Sequence, residues 1–96
     1  MALGVIATLK VQDGKSAELE TVFGELAAQV RSNEPGNRLY QLCKARGEAD
    51  TYVVMEIYDD QAAIDAHRDS AHFKAAGPKL GACLAGRPTI AFYDTV

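Results

Sequence analysis

Ninety-six residues, 48% of them hydrophobic and 24% charged, make one small domain, residues 1–96, with enough apolar material for a core and no room for a second. A formal net charge of -3 with no Lys/Arg cluster argues against nucleic acid as a partner. No stretch approaches the roughly 18 apolar residues of a membrane span. The opening MALGVIATLKV lacks a basic start and an unbroken apolar run, so it reads as a strand rather than a leader, and the expected location is the cytoplasm.

Taken in order, the chain begins with strict alternation. Leu3, Val5, Ala7, Leu9 and Val11 share one side and Gly4, Ile6, Thr8 and Lys10 the other, which predicts a strand. Asp13 and Gly14 supply a turn. From about 15 to 32 the period becomes helical, with Leu19, Val22, Phe23, Leu26 and Val30 in one stripe. Glu34, Pro35, Gly36 and Asn37 stop that helix, since proline cannot continue the hydrogen-bond ladder and restricts the residue before it. Residues 38–45 and 51–58 read as two strands of a hairpin joined by a polar loop. Cys43 and Cys83 are isolated, without metal or redox spacing, and read as packing residues.

The stretch 67–74, HRDSAHFK, holds both histidines. Asp59 or Asp60 can cap a short helix that ends near His67, and Ser70 can cap the next, which carries Phe73, Ala76, Leu80 and Leu84. Gly77 and Pro78 are expected to interrupt and kink this second helix. A helix C-terminus favours imidazolium and an N-terminus the neutral ring, so His67 reads as the better acid and His72 as the better base. Two ordinary histidines flanking a helix break are the plain alternative. A closing strand is expected over 87–94.

The order strand, helix, strand, strand, helix, strand is the split βαβ, ferredoxin-like pattern: an α+β fold with an antiparallel sheet and helices on one face. The third predicted strand is apolar on both sides, Val53, Met55 and Ile57 against Tyr52, Val54, Glu56 and Tyr58. The uncovered face therefore predicts a homodimer with sheets packed face to face.

With these residues in view, the chain resembles the antibiotic biosynthesis monooxygenase family of small dimeric α+β barrels. The resemblance rests on the opening strand and Gly14, Glu34-Pro35-Gly36 with Tyr40 after it, Glu56, and the run from His67 to Lys74. It implies a cofactor-independent, metal-free oxygenase that uses dioxygen on a phenolic, quinol or polycyclic aromatic small molecule. By the same resemblance His67, His72 and Glu56 are the catalytic candidates, with Glu56 holding a histidine in one tautomer. Tyr58, Tyr40, Phe73 and Arg68 are the substrate-binding candidates. Haem degradation is not expected, because the haem-degrading relatives' asparagine, tryptophan and histidine correspond to Ala7, Tyr58 and Gly77.

An isomerase of the phosphorylated autoinducer-2 signal is similar around the same histidines, so an acid/base isomerase is a second reading, with Arg68, Lys74 and Arg87 available to a phosphate. A non-catalytic dimeric binding or stress module is a third. A metal site of His67, His72 and Glu56 is the weakest alternative, resting on residue types alone.

Overall fold

The computed structural model describes residues 2–96. Its elements are β1 (Leu3–Lys10), α1 (Ser16–Asn33), β2 (Asn37–Lys44), β3 (Thr51–Tyr58), α2 (Gln61–Asp69), α3 (Ala71–Cys83) and β4 (Thr89–Asp94). The four strands form one antiparallel sheet in the order β2-β3-β1-β4. This is the ferredoxin-like α+β fold that the alternation between strand and helix periods predicts.

The alternating residues of β1 decide which face meets the helices. Val5, Ala7 and Leu9 are buried, and the register aligns them with Glu56, Val54 and Tyr52 of β3. Tyr40 and Leu42 of β2 pair with Glu56 and Val54 on the same side. Against this layer α1 lays Leu19, Phe23, Leu26, Ala27 and Val30, and α3 adds Ala76 and Cys83. Arg31, in the last turn of α1, donates from Nη2 to the Tyr40 carbonyl at 3.0 Å and ties the helix to β2.

The opposite face carries Ile6, Val53, Met55, Ile57, Leu39 and Tyr93, and none of the described elements covers it. Leu39, Met55 and Tyr93 are 41%, 44% and 52% exposed.

One expectation fails at α3. Gly77 and Pro78 do not end the helix, which runs continuously from Ala71 to Cys83 with Pro78 inside it. Losing one backbone bond there costs about 3 kcal/mol, and the burial of Ala76 and Cys83 in the cluster shared with α1 offsets it. Nothing in the structure requires glycine at position 24, where an added Cβ meets open space.

Gly36 is different. A Cβ there would lie 2.6 Å from the Ala63 Cβ on α2, while the Gly36 carbonyl accepts from Asp59 N at 2.8 Å. Only a hydrogen atom fits between this turn and α2. Gly36→Ala is expected to lower stability by about 1–3 kcal/mol through overpacking, read as an earlier urea midpoint. An unchanged midpoint would mean that α2 can move away freely.

Candidate active site

The site is built where three helix ends meet: the end of α1, the end of α2 and the start of α3. Asp60 caps α2 by accepting from Ala63 N at 2.9 Å. Ser70 then serves both helices. It closes α2 and opens α3, its hydroxyl donating to the His67 carbonyl at 2.7 Å and accepting from Phe73 N at 3.2 Å. With a single extended residue between the helices, His67 and His72 are brought to one place. Facing them is Glu34, the C-cap residue of α1. Pro35 forces it out of helical conformation, and its side chain turns inward until only 7% remains exposed.

Glu34 receives both rings. His67 Nδ1 lies 2.9 Å from Glu34 Oε2, and His72 Nε2 lies 2.5 Å from the same oxygen. An ionised carboxylate only accepts, so the two nitrogens donate to it. That fixes the tautomer of His67 and leaves its Nε2 as the free ring nitrogen. Aromatic side chains surround this ring, with centroids at 4.6 Å for Phe73, 5.2 Å for Tyr40 and 5.5 Å for Tyr58. Tyr40 is itself stacked on Phe23 at 5.1 Å.

His67 forms part of the wall of a cavity of about 300 Å³ between the sheet and the helices. Most of the lining is apolar, including Val5, Leu9, Ile64, Leu80, Ile90 and Phe92. The polar groups gather at one end: Glu56, Tyr58, Tyr40, His67 and Arg68. An apolar pocket with a few convergent polar groups is the usual form of a small-molecule site. Arg68 also lies over the Phe92 ring at 5.6 Å.

Glu56 faces the cavity by strand parity, and its partner is Tyr58, whose hydroxyl donates to Glu56 Oε1 at 2.6 Å. Burial pushes the Glu56 carboxyl up to about 6; Tyr58 and Arg68 oppose the rise and Glu34 adds to it. Burial also raises the Tyr58 and Tyr40 phenols well above their ordinary range, with the Glu56 charge reinforcing both. Each therefore remains a neutral donor at physiological pH.

The folded Glu56 carboxyl holds its proton more tightly than the ordinary value of 4.5. Its contribution to stability is therefore fully present below that value and lost as pH rises through about 6. Relative to wild type, Glu56→Gln is expected to gain about 2 kcal/mol between pH 4.5 and 7.5. Parallel urea-denaturation results at the two pH values would show instead that the carboxylate is adequately solvated.

The structure gathers most of the residues singled out from the sequence and redistributes their partners. His67, Glu56, Tyr58, Tyr40, Phe73 and Arg68 all line the cavity. His72 does not; it lines a groove between α1 and α3, so the two imidazoles share a carboxylate rather than a hollow. Glu56 does not hold a histidine, because Tyr58 on the same strand face reaches it first and the helix joint hangs over the end of α1. Glu34 holds both rings, a role the sequence reading missed by treating the residue as a helix stop. Of the proposed phosphate contacts Arg68, Lys74 and Arg87, only Arg68 reaches the cavity wall.

Glu34, His67 and His72 place three potential metal-ligand atoms within 4.8 Å of one another, whereas Glu56 stands outside this set. The carboxylate-to-ring separations of 2.9 and 2.5 Å are hydrogen-bond lengths. Neighbouring ligands of a tetrahedral zinc, with bonds of ~2.0 Å, sit roughly 3.3 Å apart.

A ferredoxin-like sheet with a buried carboxylate and imidazole beside an apolar cavity defines a small α+β protein whose polar groups converge at one end of a pocket. The family model for antibiotic biosynthesis monooxygenase matches residues 2–79, and the chain belongs to that family. It is 35% identical over 68 residues to "Putative monooxygenase YcnE" of Bacillus subtilis (strain 168), a match covering 71% of this chain and 70% of that protein. Among solved structures, a putative antibiotic biosynthesis monooxygenase from Caulobacter crescentus CB15 is 46% identical. It superposes with a TM-score of 0.96 over 99% of this chain and 90% of its own. SnoaB, a cofactor-independent oxygenase from Streptomyces nogalater, has a TM-score of 0.86 at 21% identity, covering 99% of this chain and 93% of its own. At that identity the likeness concerns the fold alone. No helix of the described residues is long and apolar enough to cross a membrane.

Proposed function

We propose that this chain is a cofactor-independent monooxygenase of a phenolic, quinol or polycyclic aromatic compound, with His67 as the base. His67 stands in place of the His72 that the helix ends alone favour, because His67 and not His72 borders the cavity. The observation that carries this reading is the fixed tautomer of His67: Nδ1 is held by Glu34 while the ring borders an apolar cavity. A guest hydroxyl placed at Nε2 gives up its proton and becomes an electron-rich anion. Dioxygen adds at an activated ring carbon, forming a carbon–oxygen bond. The resulting peroxide takes up a proton, and loss of water leaves a carbonyl. One oxygen atom enters the product and the other leaves as water. Tyr58 and Tyr40, as neutral donors, steady the anion, Phe73 packs on the ring system, and Arg68 and Glu56 set the polarity of that end.

Dioxygen uptake with a panel of hydroquinones and anthrones tests the proposal. Uptake above the buffer rate with at least one member is expected, and none with any would end it. An acid/base isomerase of a small phosphorylated metabolite is the second reading, supported by Arg68 beside His67 on the cavity wall. Turnover that persists without oxygen would favour it.

The proposal includes a homodimer formed through the apolar sheet face, because Ile6, Met55, Ile57 and Leu39 lack cover among the described residues. Sedimentation at micromolar concentration is expected to give twice the chain mass, and Ile57→Asp to give the monomer. A wild-type monomer would remove this part of the reading.

A further inference from the structure

The two rings held by Glu34 face different spaces. His67, 5% exposed, borders the apolar cavity. His72 borders the groove between α1 and α3, whose rim carries the exposed residues Glu25, Gln29 and Lys79. Cavity and groove have no lining residue in common. The path His67, Glu34, His72 therefore runs from the apolar cavity to the groove on the far side of α3.

Charge counting limits the states of this cluster. A buried carboxylate beside two neutral rings leaves one uncompensated negative charge, and beside two imidazolium rings one positive charge. A single imidazolium leaves it neutral, and net charge in a low-dielectric interior is costly. The His72 side chain is 15% exposed against 7% for His67 and stands nearer solvent. The charged and titratable neighbours are Glu56, Tyr40, Tyr58 and Arg68 around His67, and Glu25 and Lys79 around His72.

We propose that His72 is the proton outlet of the site: as His67 takes a proton from the guest, His72 releases one to the groove, and Glu34 faces one imidazolium throughout. The guest O–H bond breaks as the His67 Nε2–H bond forms. The His72 Nδ1–H bond breaks and its proton passes to groove water. No electrons change hands, and the cluster keeps its charge while the guest becomes an anion. This rests on His67 being the base; Glu34 and His72 act through it as positioning residues.

Nitrogen-15 NMR of the imidazole rings in the full chain at pH 7, with 2-naphthol as the probe guest, tests the outlet. In the free protein the cationic ring is expected to be His72; in His72→Gln, whose amide can still donate to Glu34, the same charge count puts the cation on His67, which then takes no proton from the guest. With 2-naphthol bound as its anion, visible by its red-shifted absorption, the cation should reside on His67. Calorimetry in phosphate and in Tris should give release of about one proton per 2-naphthol in wild type and about none in His72→Gln. Two neutral rings in the free protein, or equal proton release in both proteins, would overturn the outlet. Ionisation that depends on His67 but release that ignores His72 would leave the base in place and sink only the outlet. Ionisation that survives His67→Gln would sink the base reading itself. If 2-naphthol does not bind, the ring state of the free protein decides.

Discussion

Replacing His67 by glutamine is expected to lower oxygen-consuming turnover by about 10²–10⁴-fold, the usual contribution of a positioned base. The amide can still donate to Glu34, so the helix joint should persist, and the aromatic packing around position 67 changes little in volume. The loss should fall mainly on kcat, because the apolar cavity that binds the guest is intact. Steady-state oxygen uptake, with a circular dichroism melt as control for folding, checks it. Turnover within threefold of wild type would transfer the role of base away from His67. Glu56 would then be the next group to examine, since its raised carboxyl lies on the same cavity wall.

The largest effect on stability is expected at Glu34. Glu34→Leu leaves two imidazole N–H groups in a space where side-chain exposure is 7% for His67 and 15% for His72. Breaking a buried charged pair by removing one partner costs about 3–5 kcal/mol. In a domain of this length each kcal/mol moves the melting point by roughly 4–8 °C, so Tm should fall by about 15 °C or more. Glu34→Gln should lie between, since one carbonyl oxygen can still accept from both rings but carries no charge to pair with an imidazolium. A Glu34→Leu protein melting within about 3 °C of wild type would mean that the rings find other partners or water.

Much of this arrangement was legible from residue order alone. The switch from alternation in Leu3, Val5, Ala7 and Leu9 to the helical stripe of Leu19, Phe23, Leu26 and Val30 defined β1 and α1, because the two periods bury different sets of side chains. Ser70 could be read as a cap from its type and place. Strand parity put Glu56 and Tyr58 on one face, where the structure has them bonded. The role of Glu34 was not legible: its partners lie 33 and 38 residues away, and local pattern carries no information on which loop end meets which helix joint. Pro78 misled for a related reason. A rule about local backbone bonding was outweighed by burial of Ala76 and Cys83 against another element. The separation of cavity from groove was equally hidden, since it depends on α3 standing between them.

Ser70 has a consequence for how the gene can change length. The two rings converge because a single residue joins α2 to α3, with no slack between them. One added residue inside the first turn of α3 would swing His72 by about 100° around the helix axis and strand it far from the acid it serves. The loop at 45–50 ends one hairpin and touches neither ring, so an insertion there would leave the two imidazoles in place. Length variation should therefore be permitted at the hairpin and forbidden across the five-residue interval that sets the two imidazoles.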